Sequence, residues 1–190
     1  MSDTRYPWQE AYTVAVVIVR ELRHVCLRVT IAGSLRRKKA DVGDIEILYI
    51  PEMCEQPDPA NMFGTVMASR ADARIERMES AGILARRFNS LGRETYGPKN
   101  KLMRHVSGIP VDLFAATEEN WFNYLVCRTG PADLNKRICE AAIFKGWHWN
   151  PYGVGFSNSW GEVRKMDSEK AVFSFVGLPY QEPAQRISLQ

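Results

Sequence analysis

Apolar residues recur along the chain with two different spacings. Near the start they return every three or four positions, which is the period of an amphipathic helix, at Ala11, Ala15, Ile18, Val19 and Leu22. In residues 45–50 apolar and polar side chains alternate instead, as in a strand with one buried face. The two spacings together predict an alternation of helices and strands along most of the sequence.

The predicted strands and helices fall in a mixed order. Strands are predicted at residues 26–32, 45–50, 83–89, 102–106 and 109–115, the last two joined by the tight turn Ser107-Gly108. Helices are predicted at residues 6–25, 61–81, 118–128 and 131–145, the second with Asn61 as its N-cap, and a short last helix follows Asp167 or Ser168. Residues 147–163 are typical of a hairpin. The order predicts an α+β fold, with a boundary near Thr117 between lobes at 1–116 and 117–190.

Composition narrows the class of protein. The chain has 190 residues, 45% of them hydrophobic and 25% charged, which is ordinary for a globular protein with a sizeable core. It contains no run of 18 apolar residues and no basic start followed by an apolar stretch, so we expect a soluble, intracellular protein with no membrane partner. Four cysteines lie far apart without zinc-ligand spacing, and we expect them to be reduced.

Three acidic residues stand between apolar neighbours on predicted strands. Asp44 and Glu46 are two positions apart, so both project from one face of their strand, and Asp112 lies on a later strand. Carboxylates held rigidly in this way are ligands that magnesium prefers, and phosphoryl transfer depends on such metal ions. An isolated pair of acids on a strand is more often a solvated face, and the neighbouring sequence decides between the two interpretations.

That neighbouring sequence contains a small-residue turn with the properties of a phosphate-binding loop. Gly33 lets the backbone approach a ligand, Ser34 offers a hydroxyl to a phosphate oxygen, and Arg37 carries a guanidinium fork. This context favours a metal and nucleotide site over a solvated strand face.

With these motifs the sequence resembles DNA polymerase family X, the polymerase-beta-like nucleotidyltransferases. The segments 33–37 (Gly-Ser-Leu-Arg-Arg) and 43–46 (Gly-Asp-Ile-Glu) match the signature, and Thr129-Gly130 followed by Asn135-Lys136 matches the turn and nucleotide-facing helix of that family. Residues 167–170 and 180–183 are similar to its C-terminal end. The similarity therefore extends over nearly the whole chain, from about residue 10 to residue 186.

The resemblance implies a nucleotidyltransferase palm at residues 1–116 and a smaller nucleotide- and template-facing lobe of helices and a hairpin at 117–190. It implies that two Mg²⁺ or Mn²⁺ ions are held by the catalytic residues Asp44, Glu46 and Asp112. The triphosphate would be bound by Gly33, Ser34, Arg37 and Gly43, and the nascent base pair would face Asn135 and Lys136, although an exposed polar helix face is the alternative there.

The basic run Arg36, Lys38 and Lys39 is a candidate for contact with the DNA backbone, or else a solvated turn. The resemblance implies a DNA-directed DNA polymerase that adds a dNMP to a 3′-hydroxyl and fills short gaps in DNA repair, and we expect it to be a monomer. The alternatives are a template-independent nucleotidyltransferase acting on RNA, protein or a small molecule, and a nucleic-acid-binding module with a degenerate site.

Departures from the family pattern also matter. Glu46 stands where the family usually has aspartate, and Cys127-Arg128 occupies the place of an aromatic pair that bears on sugar discrimination. About 30 residues precede Gly33, fewer than the additional DNA-binding or lyase domains of larger members need. The sequence is thus expected to be the minimal two-lobe form.

Overall fold

The computed structural model describes residues 4–58 and 60–186. The helices are α1 (Trp8–Arg23), α2 (Gly33–Arg36), α3 (Arg70–Ser80), α4 (Trp121–Thr129), α5 (Ala132–Phe144) and α6 (Glu169–Val176). The strands are β1 (Tyr6–Pro7), β2 (Cys26–Ile31), β3 (Asp41–Val42), β4 (Ile45–Pro51), β5 (Met53–Asp58), β6 (Asn61–Ser69), β7 (Leu84–Arg86), β8 (Asn100–His105), β9 (Pro110–Ala115), β10 (Trp147–Asn150), β11 (Gly155–Asn158) and β12 (Val163–Lys165). This mixture confirms the predicted α+β class.

A five-stranded sheet in the order β2-β4-β9-β8-β7 forms the centre of the N-terminal part. The strands β4 and β9 are parallel, whereas the other neighbouring pairs are antiparallel. Since side chains alternate across a strand, Ile45 and Ile47 face one core together with residues of α1 and α3. Leu48 and Ile50 point the other way and pack with Trp121 and other residues of α4.

The C-terminal part has a core of its own. The three-stranded antiparallel sheet β10-β11-β12 packs with α5 and α6, and the buried residues include Ile138, Phe156 and Phe173. The predicted hairpin at 147–163 is confirmed as β10 and β11, with β12 added at its edge. The position of the lobe boundary near Thr117 stays a prediction, and residues 1–3 and 187–190 of the two predicted lobes lie outside the described residues.

The predicted helix at residues 61–81 is wrong in its first half. Residues 61–69 form β6, which pairs with β5 as an antiparallel hairpin, and Asn61 lies at its turn instead of capping a helix. Phe63, Thr65 and Val66 are aromatic or β-branched residues that favour an extended chain. The helix begins only after Ser69. Of the predicted buried stripe Met67, Ala71, Ile75 and Met78, the last three are buried in α3, whereas Met67 lies on β6 and is exposed.

We predict that Ser69→Ala destabilises the protein by about 1 kcal/mol, since the Ser69 hydroxyl accepts a hydrogen bond of 3.0 Å from the backbone N–H of Asp72 at the start of α3. Thr13→Ala, an exposed substitution within α1, is the control and should change stability by less than about 0.5 kcal/mol. Urea unfolding measures both. Equal midpoints for the two variants would contradict the assigned start of α3.

Candidate active site

The three acidic residues lie on one face of the central sheet. Asp44 precedes β4 immediately, Glu46 is its second residue, and the parallel register pairs Glu46 directly with Asp112 on β9. Alternation along β4 and β9 places them on the side of Leu48 and Phe114, opposite the core that α1 and α3 cover. Residues separated by about 65 positions in the sequence are thus neighbours in the fold.

Each of these carboxylates resists ionisation. Burial, followed by the carboxylate charges of Asp44 and Asp112, raises the pKa of Glu46 to about 8, against the opposing charges of Arg128 and Arg37. Burial also raises the pKa of Asp44 and of Asp112, although the charge of Arg87 lowers both. Ionisation of all three would concentrate negative charge in a place that water stabilises poorly, and positive charge nearby would favour that ionisation.

Two arginines that the sequence analysis did not assign to the site supply part of that charge. Arg87 donates a hydrogen bond to Asp112 in a half-buried ion pair. Its backbone N–H bonds to the carbonyl of Leu102, which is paired with Asp112 in the sheet, and this arrangement depends on a strand order that the sequence does not state. Arg128 lies with its guanidinium carbon 3.7 Å from the ring centroid of Phe114, and its charge acts on Glu46.

The three acids have the oxygen donors that a divalent cation prefers, and the strand pairing brings them to one sheet face. All three supply hard carboxylate oxygens, they share one sheet face, and their mutual repulsion raises the pKa of Glu46. As the side chains lie, residues 4–58 and 60–186 contain no group of three His, Cys, Asp or Glu arranged to hold a metal ion. Asp112 is instead turned to Arg87, so the structure brings the three residues to one place without closing them into a ligand set.

The predicted phosphate-binding turn lies directly against the acids. Gly33 begins α2 with a φ of +64°, and a Cβ at this position would lie 2.9 Å from Oε2 of Glu46, so only glycine fits. Ser34 follows it, half-buried, and its hydroxyl makes no hydrogen bond to another described residue. Gly43 lies at the start of the acidic strand beside Arg5. The structure therefore brings Gly33 next to Glu46, and Ser34 follows in the same turn.

Arg37 faces the same site. Its guanidinium donates to the carbonyl of Thr129 at the end of α4. Burial lowers the pKa of Arg37, and the charges of Glu46 and Asp44 offset only part of that shift. One end of this side chain is thus fixed by the C-terminal part of the molecule, while its charge acts on the acids.

The guanidinium of Arg36 is bound by other residues of the protein and is not free at the surface. It donates to both carboxylate oxygens of Glu169, at 2.9 and 2.7 Å, and to the hydroxyl of Thr129 at 2.6 Å. Arg186, which is fully buried, donates to the same carboxylate at 3.0 Å. The expected contact of Arg36 with DNA is therefore disfavoured, because its guanidinium already holds α2 to α6.

The remaining predicted site residues differ in their exposure to solvent and in whether they already bind other residues. Lys38 is exposed and Lys39 half-buried, and neither makes an ion pair with a described residue, so both stay candidates for phosphate contact. Lys136 is exposed on α5. The Asn135 amide donates to the carbonyl of Cys127 at 2.9 Å, while its Oδ1 is buried without a hydrogen-bond partner. Asn135 thus supports the turn after α4 with one end of its side chain.

Three comparisons with known proteins agree with this geometry. The family profile of the DNA polymerase beta thumb matches residues 124–187. The chain is 25% identical over 171 residues to DNA polymerase lambda of Rattus norvegicus, a match that covers 81% of this chain and 28% of the relative. The fold is that of Leishmania infantum polymerase beta, solved as a ternary P/T complex, with a TM-score of 0.73, 19% identity and coverage of 98% of this chain and 78% of that one. The predicted resemblance to family X is therefore confirmed.

Two further features concern the cysteines and the helices. The four cysteines Cys26, Cys54, Cys127 and Cys139 are free in the described structure. Within residues 4–58 and 60–186, none of the helices combines the length and apolar character that a membrane crossing needs.

We predict that Glu169→Gln lowers the free energy of unfolding at neutral pH by about 3 kcal/mol, because it leaves Arg36 and Arg186 without their shared anion. Burial opposes ionisation of Glu169, but hydrogen bonds from Arg36 and the charges of both arginines outweigh it and lower its pKa. A lowered pKa contributes stability that is complete above the unfolded value of about 4.3 and is lost as the pH falls through the folded value.

The difference between wild type and Glu169→Gln should therefore shrink as the pH falls below about 4. Denaturant unfolding at a series of pH values measures it, with the exposed substitution Glu119→Gln as control. A difference that stays constant on acidification, or none at neutral pH, would show that Glu169 does not bind its arginines as an anion.

Proposed function

We propose that this chain, a relative of the DNA polymerases of family X, is a DNA-directed DNA polymerase that fills short gaps during repair. The observation that carries the proposal is the pairing of Glu46 on β4 with Asp112 on β9, with Asp44 just before β4 and the Gly33 turn against Glu46. The chain spans about 28% of the length of its curated relative, so the activity of that larger protein is not transferred as a whole.

The three acids are proposed to hold divalent cations, Mg²⁺ or Mn²⁺, two per site. When bound, such ions neutralise phosphate charge and stabilise the attacking and leaving oxygens of an in-line displacement. For this to happen Asp112 must leave Arg87, whose positive charge otherwise occupies the anionic site. The relatives support dependence on divalent metal in general, and the number and identity of the ions are part of the proposal.

Asp112 is also the proposed base. It would accept the proton of the primer 3′-hydroxyl, whose oxygen forms a bond to the α-phosphorus of the dNTP while the bond to pyrophosphate breaks. The pairing of Asp112 with Glu46 in the sheet supports this role, because it keeps the proposed base beside the other two acids.

The incoming triphosphate is proposed to lie over the turn at Gly33, in reach of Ser34, Arg37 and Gly43. The unpartnered hydroxyl of Ser34 can donate to a phosphate oxygen, and Arg37 supplies positive charge that acts on the same acids. The absence of a side chain at Gly33 lets this turn lie against the Glu46 carboxylate, which would bring the bound triphosphate close to the acids.

Primer-template or gapped DNA is the proposed partner, with the base pair facing α5. Lys136 is exposed there, and the buried Oδ1 of Asn135 lacks a partner inside the protein. Lys38 and Lys39 are the proposed contacts to the DNA backbone, since they are free of ion pairs to described residues. A monomeric enzyme acting inside the cell is part of the same proposal.

We predict that Asp112→Asn slows insertion into a single-nucleotide gap by about 100- to 10,000-fold, since it removes a metal ligand and the proton acceptor at once. Primer extension with each of the four dNTPs, on gapped and on template-free DNA, measures the rate and the dependence on the templating base. Asp58→Asn, at the end of the β5 strand, is the matched control and should keep the wild-type rate.

Near-normal insertion by a folded Asp112→Asn variant would remove Asp112 from the reaction. Equal addition of all four nucleotides by wild type, with or without a template, would instead assign the chain to the template-independent nucleotidyltransferases.

We predict that Ser34→Ala raises the half-saturating dNTP concentration about tenfold or more and leaves the fold intact. A hydrogen bond to a charged partner contributes about 1.5–3 kcal/mol, and 1.4 kcal/mol is about a factor of ten in affinity. Ser80→Ala, on the exposed end of α3, is the control. An unchanged dNTP requirement in Ser34→Ala would mean that the turn does not hold the triphosphate.

A further inference from the structure

Helix α1 has a second apolar stripe besides the one that it buries in the core. Ala11, Ala15, Ile18 and Leu22 are buried. A separate row at helical spacing lines a groove of 690 Å³ beside the sheet, and it consists of Trp8, Tyr12, Val16 and Val19. Tyr12 and Val16 are 41% and 42% exposed, so this stripe is open to solvent in the described structure.

The opposite wall of the groove is the edge of the central sheet. β2 is the terminal strand in the order β2-β4-β9-β8-β7, and its described pairing is with β4 alone. Val29, Thr30 and Ile31 of β2 line the groove. A terminal strand presents unpaired backbone N–H and C=O groups, which another extended chain can bind.

The groove carries charge of one sign. Its lining includes Arg20, Arg23, Arg36 and Lys38 and no acidic residue. Arg36 is neutralised by Glu169, but Arg20, Arg23 and Lys38 make no ion pair with a described residue. Because the whole chain has a net charge of only +3, this is a local concentration of positive charge that favours an anionic occupant.

We propose that the groove between α1 and β2 binds an extended acidic segment of a partner protein, which adds a strand to the free edge of β2. On the face that this segment turns to α1, apolar side chains would pack on Tyr12 and Val16, and acidic side chains farther along the same face would lie opposite Arg20 and Arg23. The segment is defined by chemistry: an extended peptide whose every second residue faces α1 and is apolar in one half and acidic in the other.

A peptide fits the groove better than the two competing occupants. A strand edge alternates donors with carbonyl acceptors, and the carbonyls would repel phosphate. Trp8 and Tyr12 already stack on each other, with ring centroids 4.5 Å apart, and Trp8 donates to the carbonyl of Leu35, so they are poor platforms for bases on both sides. A second copy of the chain would bring the same unpaired cations together.

The proposal does not rest on the proposed function, because Arg20, Arg23 and the β2 edge take no part in the assigned chemistry. A failure of polymerase activity would appear in the gap-filling assay and would leave peptide binding unaffected. Likewise, loss of peptide binding in the Arg20→Glu/Arg23→Glu variant, which keeps Lys38, should leave gap filling unchanged.

The test is fluorescence anisotropy with a labelled peptide of about ten residues in which every second position carries valine in one half and glutamate in the other half, with threonine between them. Its lysine-valine counterpart reverses the charge, and a version N-methylated along one edge removes the backbone donors. The protein variants are the exposed double reversal Arg20→Glu/Arg23→Glu and, as matched control, the exposed Arg93→Glu. Far-ultraviolet circular dichroism checks that each variant is folded.

Wild type and Arg93→Glu should bind the glutamate peptide saturably, and the double variant should bind it at least about tenfold more weakly, since two attractions become repulsions. The double variant should prefer the lysine peptide, and N-methylation should weaken binding to wild type by a similar factor. No saturable binding by wild type, or equal binding by the double variant or by the N-methylated peptide, would overturn the proposal. Binding of an oligothymidylate that is lost in the double variant would also overturn it, by assigning the groove to nucleic acid.

Discussion

The parallel pairing of β4 with β9 is the constraint on which the rest of the site depends. Its register fixes Glu46 opposite Asp112, and the alternation of side chains places Asp44 on the same face. Three carboxylates are thereby held in a region where burial opposes their ionisation and raises the pKa of each. A protein that keeps this arrangement must supply positive charge nearby, from its own side chains or from a bound cation.

Arginines from several parts of the chain supply this positive charge. Arg87 pairs with Asp112, Arg128 lies over Phe114 within the influence of Glu46, and Arg37 lies between the acids and the carbonyl of Thr129. The neighbouring Arg36 joins α2 to Glu169 on α6, where Arg186 binds as well. The turn proposed to hold the triphosphate is therefore anchored in the C-terminal core by two consecutive residues, so the two parts of the protein cannot separate without exposing buried charge.

Local patterns were sufficient to predict much of this from the sequence. Asp44, Glu46 and Gly33 could be found because strand alternation and the special backbone of glycine act over a few residues, and the structure brings them together. Arg87 and the engagement of Arg36 by Glu169 could not be found, since both depend on contacts between distant segments. The β5-β6 hairpin was missed because apolar spacing in residues 61–69 also suits a helix, and only the pairing with β5 decides it.

The most direct test of the three-acid site is a crystal structure of the protein with Mn²⁺, gapped DNA and a non-hydrolysable dNTP, with anomalous scattering recorded for manganese. We expect two manganese peaks within ligand distance of Asp44, Glu46 and Asp112, with Arg87 released from Asp112 and the triphosphate over Ser34. A bound nucleotide with no manganese at these carboxylates, or with Arg87 still paired to Asp112, would contradict it.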